Sequence, residues 1–283
     1  MKEIREKQDS VFGLQNMRNL TIYYALSLVV AILMAAASVA GLLYQETLYP
    51  TDELVRAFLP NDVVVLLIGL PILLVSMWLT WRGRLIGLLF WPGALFFVLY
   101  NYIIYLFAMP FNVEYLLDLA LVTLSLFSLI GLLTCINGGL VRQRLTDAVP
   151  ERLSGGILAG LGSLFFVRSI STMVNAHISQ ITITGTELAL LSTDFLVAPA
   201  WIVGGILLWQ RKQFGYVSGL GLLFQASMLF VGLIIVLVLQ PFMTGAPFPL
   251  IDVIVVFVMG FICFVPFLLF IRGVVSGKSP KPL

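Results

Sequence analysis

Apolar runs of roughly twenty residues, parted by short polar breaks, recur eight times along the chain. They fall near 20–44, 63–81, 85–107, 115–136, 155–175, 188–209, 217–240 and 250–274. At 1.5 Å of rise per residue, each is long enough to cross a hydrocarbon core of about 30 Å. Helices are the predicted elements, because inside lipid every backbone N–H and C=O must be satisfied within its own segment. The expected fold class is therefore all-α: a polytopic membrane protein with eight transmembrane helices. The stretch Ala35-Ala36-Ala37-Ser38-Val39-Ala40 has the look of a signal-peptide cleavage region. The apolar run before it exceeds a usual leader core, so the segment reads as a span.

The polar breaks carry an orientation. Lys2, Arg5, Lys7 and Arg18 precede the first run, and Arg82 and Arg84 fill the turn after the second. Arg142, Arg144 and Arg152 lie in the central loop, Arg211 and Lys212 follow the sixth run, and Arg272, Lys278 and Lys281 end the chain. All of these fall on one side. Arg56 alone occupies a break on the other side, and Arg168 lies inside a run. The positive-inside rule then predicts both termini in the cytoplasm, in a cell membrane. Trp78, Trp81 and Trp209 lie at the inner boundary, where an aromatic belt is expected.

The pattern is written twice. Trp81-Arg82-Gly83-Arg84-Leu85-Ile86-Gly87 aligns with Trp209-Gln210-Arg211-Lys212-Gln213-Phe214-Gly215. Asn61-Asp62 meets Thr193-Asp194 after a four-residue gap, and Pro110-Phe111 meets Pro241-Phe242. Asp118 finds a counterpart in Asp252, and Asp52-Glu53-Leu54 faces Thr186-Glu187-Leu188. The expected organisation is two four-helix halves, 1–145 and 146–283, within one membrane domain. Four spans per half is an even number, so both halves enter from the same side and the repeat is parallel.

These landmarks carry a resemblance. The second half has Thr193-Asp194-Phe195-Leu196-Val197-Ala198-Pro199, Gly204-Gly205-Ile206-Leu207-Leu208-Trp209 and Gly215-Tyr216-Val217. The first has Leu88-Leu89-Phe90-Trp91, Gly93-Ala94-Leu95, Tyr100, Tyr102, Tyr105 and Phe111-Asn112. Over residues 50–240 the chain resembles a family of uncharacterised prokaryotic multi-pass membrane proteins with no established activity. The resemblance implies fold and membrane location only.

Composition sharpens the class. Of the 283 residues, 60% are hydrophobic and only 11% charged, against about 25% charged in soluble domains. Ionisable groups inside spans are therefore the informative ones. Arg168, Thr172 and Asn175 share a helical face at i, i+4 and i+7, with His177, the single histidine, just beyond. Asn101 and Tyr105 share a face in the third span. Arg168, Asp194 and Asn101 each come out about 10 Å inside the outer boundary. Asp194 is the natural partner for Arg168, with Asp118 and Asp252 as alternatives. Asp62, Asp118 and Asp252 lie shallower, and each also reads as an acid capping a helix or stabilising its dipole. An inert ion pair that fixes helix register stands beside the functional reading of Arg168 and Asp194.

Other features read as architecture. Gly156 and Gly160 make a small-residue pair suited to close helix packing. Pro71, Pro92, Pro199 and Pro266 fall inside spans as potential kinks. The break at 49–60 reads as a connector or a short surface helix over the site. Cys135 and Cys263 have no disulfide or metal spacing.

There is no phosphate loop, no metal-ligand set, no nucleophile elbow and no metalloprotease helix. No cofactor or metal is expected, and the basic groups need no nucleic-acid partner. Membrane lipids and a small-molecule or ion ligand are the expected partners. The first reading is a carrier or ligand-binding protein whose candidate residues are Arg168, Asp194, Asn101, Asp118, Asp252, Tyr105, Thr172 and Asn175. The alternatives are a membrane-embedded enzyme acting on a lipid and a non-catalytic subunit of a membrane complex.

Overall fold

In a computed structural model of the chain, residues 17–245 and 247–276 are described. The basic positions Lys2, Arg5, Lys7, Lys278 and Lys281 lie outside them. In chain order the elements are α1 (Met17–Leu43), a single turn α2 (Gln45–Leu48), α3 (Asp52–Val64), a π-helical turn (Val65–Gly69) and α4 (Leu70–Trp81). Then follow α5 (Leu85–Ala108), α6 (Val113–Cys135), α7 (Gly138–Leu145), α8 (Glu151–Ser179), α9 (Gly185–Trp209), α10 (Gln213–Thr244) and α11 (Leu250–Ser276). Eight segments among the described residues are long and apolar enough to span a membrane, with α3, the π turn and α4 making one continuous span. Their outward faces carry bare Leu, Ile, Val and Phe, such as Leu67, Phe127, Val167 and Phe257. Such surfaces need lipid rather than water, so the chain is an integral, multi-pass membrane protein. The end carrying Arg82, Arg142 and Arg211 is called the basic end below, and the opposite end the distal end.

The second span differs from its expected bounds. Residues 52–62 are helical, not a connector, because Thr51 caps them: its hydroxyl accepts from the Leu54 N–H. Asp62 consequently sits ten residues inside the helix. Pro71 explains the π turn. Its ring has no N–H and crowds the carbonyl four residues back, and the widened turn at Val65–Gly69 ends just before it. Asn112 caps α6 by accepting from the Tyr115 N–H.

Helices α5 and α10 form the centre. The span α5 is the most buried of the eight. The two meet where Gly93 faces Gly221, so closely that a Cβ on Gly93 would lie 2.5 Å from the Gly221 carbonyl oxygen. Helix α5 also packs on α4, α6 and α9, while α10 packs on α3, α9 and α11. Gly87 lets α5 approach Leu79 and Thr80, and Gly215 lets α10 approach Leu207 and Leu208. The longest pairing is α8 on α9. Its close face runs through Gly155 and Gly162, which meet backbone atoms of Gly205 and Ala198. The anticipated pair takes no such part: Gly156 abuts the Trp209 ring and Gly160 opens onto empty space. The reason is register, since one residue turns a helix by about 100°.

At the basic end, α7 lies on α10. The Arg211 guanidinium contacts Asp147 at 3.1 Å and Glu151 at 3.6 Å, while Glu151 accepts from the Tyr216 hydroxyl at 2.9 Å. Trp78, Trp81 and Trp209 are all exposed at this end, and Arg82 stacks on Trp78 with 4.7 Å to its ring centre.

Candidate functional site

Two polar groupings lie in the distal half, both anchored on tyrosines of α5. In the first, Asp194 sits nine residues into α9, about 14 Å along the helix. Its Oδ1 accepts from the Tyr100 hydroxyl at 2.7 Å. Its Oδ2 lies 3.6 Å from the Arg168 guanidinium and accepts no hydrogen bond. The Asp194 side chain is buried, whereas that of Arg168 is 47% exposed. Such a separation leaves the pair looser than a hydrogen-bonded Arg–carboxylate fork at 2.7–2.9 Å. Thr172, a turn beyond Arg168, is half-buried; Asn175 and His177 are exposed. Neither Asp118 nor Asp252 forms a salt bridge with Arg168 among the described residues.

The second grouping gathers Tyr49, Asp62, Tyr102, Tyr105, Glu114 and Asp118. Tyr49, in the turn between α2 and α3, folds inward until it is 2% exposed. Its hydroxyl donates to Asp62 Oδ2 at 2.5 Å, and the Tyr105 hydroxyl donates to Asp62 Oδ1 at 2.9 Å. Asn61 donates to the Tyr105 oxygen at 3.2 Å. Burial, reinforced by the neighbouring Asp62 carboxylate, pushes the Tyr49 phenol far above its ordinary range. Tyr49 therefore stays protonated as a donor. Gly41 of α1 makes room: a methyl group there would collide with the Asp62 carboxylate and the Tyr49 hydroxyl. Asp118 of α6 is fully buried and neither of its oxygens has a hydrogen-bond partner. Glu114, one turn before it, is buried with Oε2 likewise unpartnered.

This arrangement revises several sequence expectations. Asp62 and Asp118 cap no helix; Thr51 and Asn112 do that work. Asp252 is exposed in the first turn of α11, where an acid favours the helix dipole, and joins neither grouping. Asn101 donates to the Phe97 carbonyl of its own helix at 2.8 Å. Arg168 and Asp194 do meet. Tyr105 reaches Asp62 rather than Arg168. Sequence reasoning passed over Tyr49, Tyr100, Tyr102 and Glu114. For Tyr100 a signal existed: it stands five positions before Tyr105, which turns the two hydroxyls toward different neighbours of one helix.

A groove of about 420 Å³ between α8, α9 and the end of α5 is lined by Phe107, Ile170, Val174 and Phe195, and by none of the site residues. No group of three or more His, Cys, Asp or Glu suited to a metal ion occurs among the described residues. Cys135 and Cys263 are both buried, and neither is part of a disulfide. No family model, curated protein or solved structure matches the chain.

Proposed function

We propose that this protein is a carrier of a small molecule or ion, built from two parallel four-helix halves, 1–145 and 146–283. The pseudo-two-fold axis would run along the membrane normal through the Gly93–Gly221 contact. Gly221 follows Gly93 by 128 positions, as Gly215 follows Gly87 and Trp209 follows Trp81. Leu207 and Leu208, which Gly215 abuts, follow Leu79 and Thr80, which Gly87 abuts, by the same interval. The packing supports the same relation. If α3 corresponds to α9 and α5 to α10, then α5 on α9 is the counterpart of α10 on α3.

The observation that carries the functional reading is the Tyr100–Asp194–Arg168 constellation. Tyr100 comes from the first half, and Asp194 and Arg168 come from the second. Rocking of one half against the other would change that contact directly, as alternating access requires. The unfilled Oδ2 of Asp194 and the half-exposed Arg168 leave bonding capacity for a ligand. An anionic group would take Arg168, and a cation or proton would take Asp194. With both termini cytoplasmic, the site opens toward the outside.

The test is a thermal-unfolding screen of the purified full-length protein in nanodiscs against small carboxylates, phosphates, amines and alkali cations. The proposal expects at least one class to raise the unfolding temperature; Arg168→Ala should abolish a rise caused by an anion, and Asp194→Asn a rise caused by a cation, each while keeping folded yield. A rise that survives the matching substitution, or no rise with any class, would reject it.

A further inference from the structure

The acidic grouping of the first half is separate from the Arg168 site and has a different electrostatic problem. Three carboxyl groups, Asp62, Glu114 and Asp118, are each no more than 5% exposed. No arginine, lysine or histidine forms a salt bridge with any of them among the described residues. Asp62 has its two tyrosine donors. Asp118 has none, and the buried Ser38 hydroxyl of α1 lies beside Asp62 and Tyr102. A lone ionised carboxylate in such a place is too costly to persist; it is neutralised or paired. The three acids do not have the arrangement of a metal site. What remains small enough to supply positive charge is the proton.

We infer that Asp118, Glu114 and Asp62 form a proton-binding site that loads and unloads from the distal end of the bundle, with Asp118 as the inner acceptor and Glu114 as its link to the surface. Glu114 and Asp118 are four residues apart on one face of α6, one turn of about 6 Å. Glu114 is the second residue of the helix, beside the exposed Val113 and Phe111. A proton leaving the Asp118 carboxylic acid would pass to the Glu114 carboxylate and then to water, leaving Asp118 as a carboxylate. Ser38 and the tyrosine hydroxyls are the groups placed to reorient around that charge.

From α1 comes Ser38, from the turn before α3 Tyr49, from α3 Asp62, from α5 Tyr102 and Tyr105, and from α6 Glu114 and Asp118. Helix α10, which packs on α3, contains no charged residue. Helix α9, which touches α3, brings Asp194, already held by Tyr100 and Arg168, and the first-turn Glu187.

The test is infrared difference spectroscopy of the full-length protein in nanodiscs during a pH titration. A band from a buried carboxylic acid should shrink as pH rises and return on acidification, and Asp118→Asn should remove most of it while Asp194→Asn leaves that part in place. Labelling wild-type aspartate at its carboxyl carbon with ¹³C should shift the same band, which needs no variant to fold. A titration with no aspartate-shifted carboxylic acid band overturns the inference. So does a band that sodium chloride abolishes at fixed pH, since that would assign a metal cation. The readout does not involve Arg168, so it stands or falls apart from the carrier reading.

Discussion

Tyr100 and Tyr105 stand five residues apart on α5, yet each hydroxyl serves a different buried aspartate. Hydrogen bonds to charged groups are worth about 1.5–3 kcal/mol. Tyr105→Phe should therefore lower stability by about that range if Asp62 is ionised, and by about 1 kcal/mol if it carries a proton. Thermal or urea unfolding in nanodiscs reads the difference. Tyr100→Phe and Arg168→Ala both act on Asp194, so their effects should not add. A double-mutant cycle should return a coupling of about 0.5–3 kcal/mol, and additive effects would mean that the two contacts are independent. Which aspartate each hydroxyl serves was illegible in the sequence for a physical reason. A tyrosine near a membrane boundary is ordinary belt chemistry, and only a fold shows which hydroxyl is turned inward. Arg168 and Asp194 were legible because a charge deep in an apolar run has no ordinary explanation.

At the scale of the element, helix ends and glycines carry the argument. Thr51 begins the second span eleven residues earlier than the apolar run does, and that shift moves Asp62 from the boundary to the interior. Hydropathy alone could not find this start, because 52–62 contains Asp52, Glu53, Arg56 and Asn61. Thr51→Ala should cost about 1 kcal/mol in unfolding experiments. Gly93→Leu should be far more damaging, since a side chain there must displace the Gly221 backbone. A penalty of several kcal/mol or loss of folded yield is expected, beyond the about 1–3 kcal/mol of ordinary overpacking. Gly160→Ala is the contrast: nothing lies near its Cβ position, and the helix should gain up to about 1 kcal/mol. Existence of the helices was plain from run length alone. The contact face of α8 was not, because a glycine pair at 156 and 160 and one at 155 and 162 are equally compatible with the sequence.

At the scale of the whole molecule, the bundle is tied at one end and polar inside at the other. Arg211, Asp147, Glu151 and Tyr216 fasten the central loop to the start of α10 at the basic end. The acids of the two polar groupings and Arg168 lie in the distal half. The most direct test of an outward-opening site uses a chain with Cys135 and Cys263 replaced and single Asp194→Cys and Gln210→Cys substitutions. A charged, membrane-impermeant thiol reagent is applied to intact and then permeabilised cells. The account predicts that Asp194→Cys reacts in intact cells, helped by the adjacent Arg168, while Gln210→Cys reacts only after permeabilisation. An Asp194→Cys protein that is folded yet protected from both sides would make the Arg168–Asp194 pair a dry structural contact. Reaction only after permeabilisation would place the site on the wrong face, and either result would contradict the account.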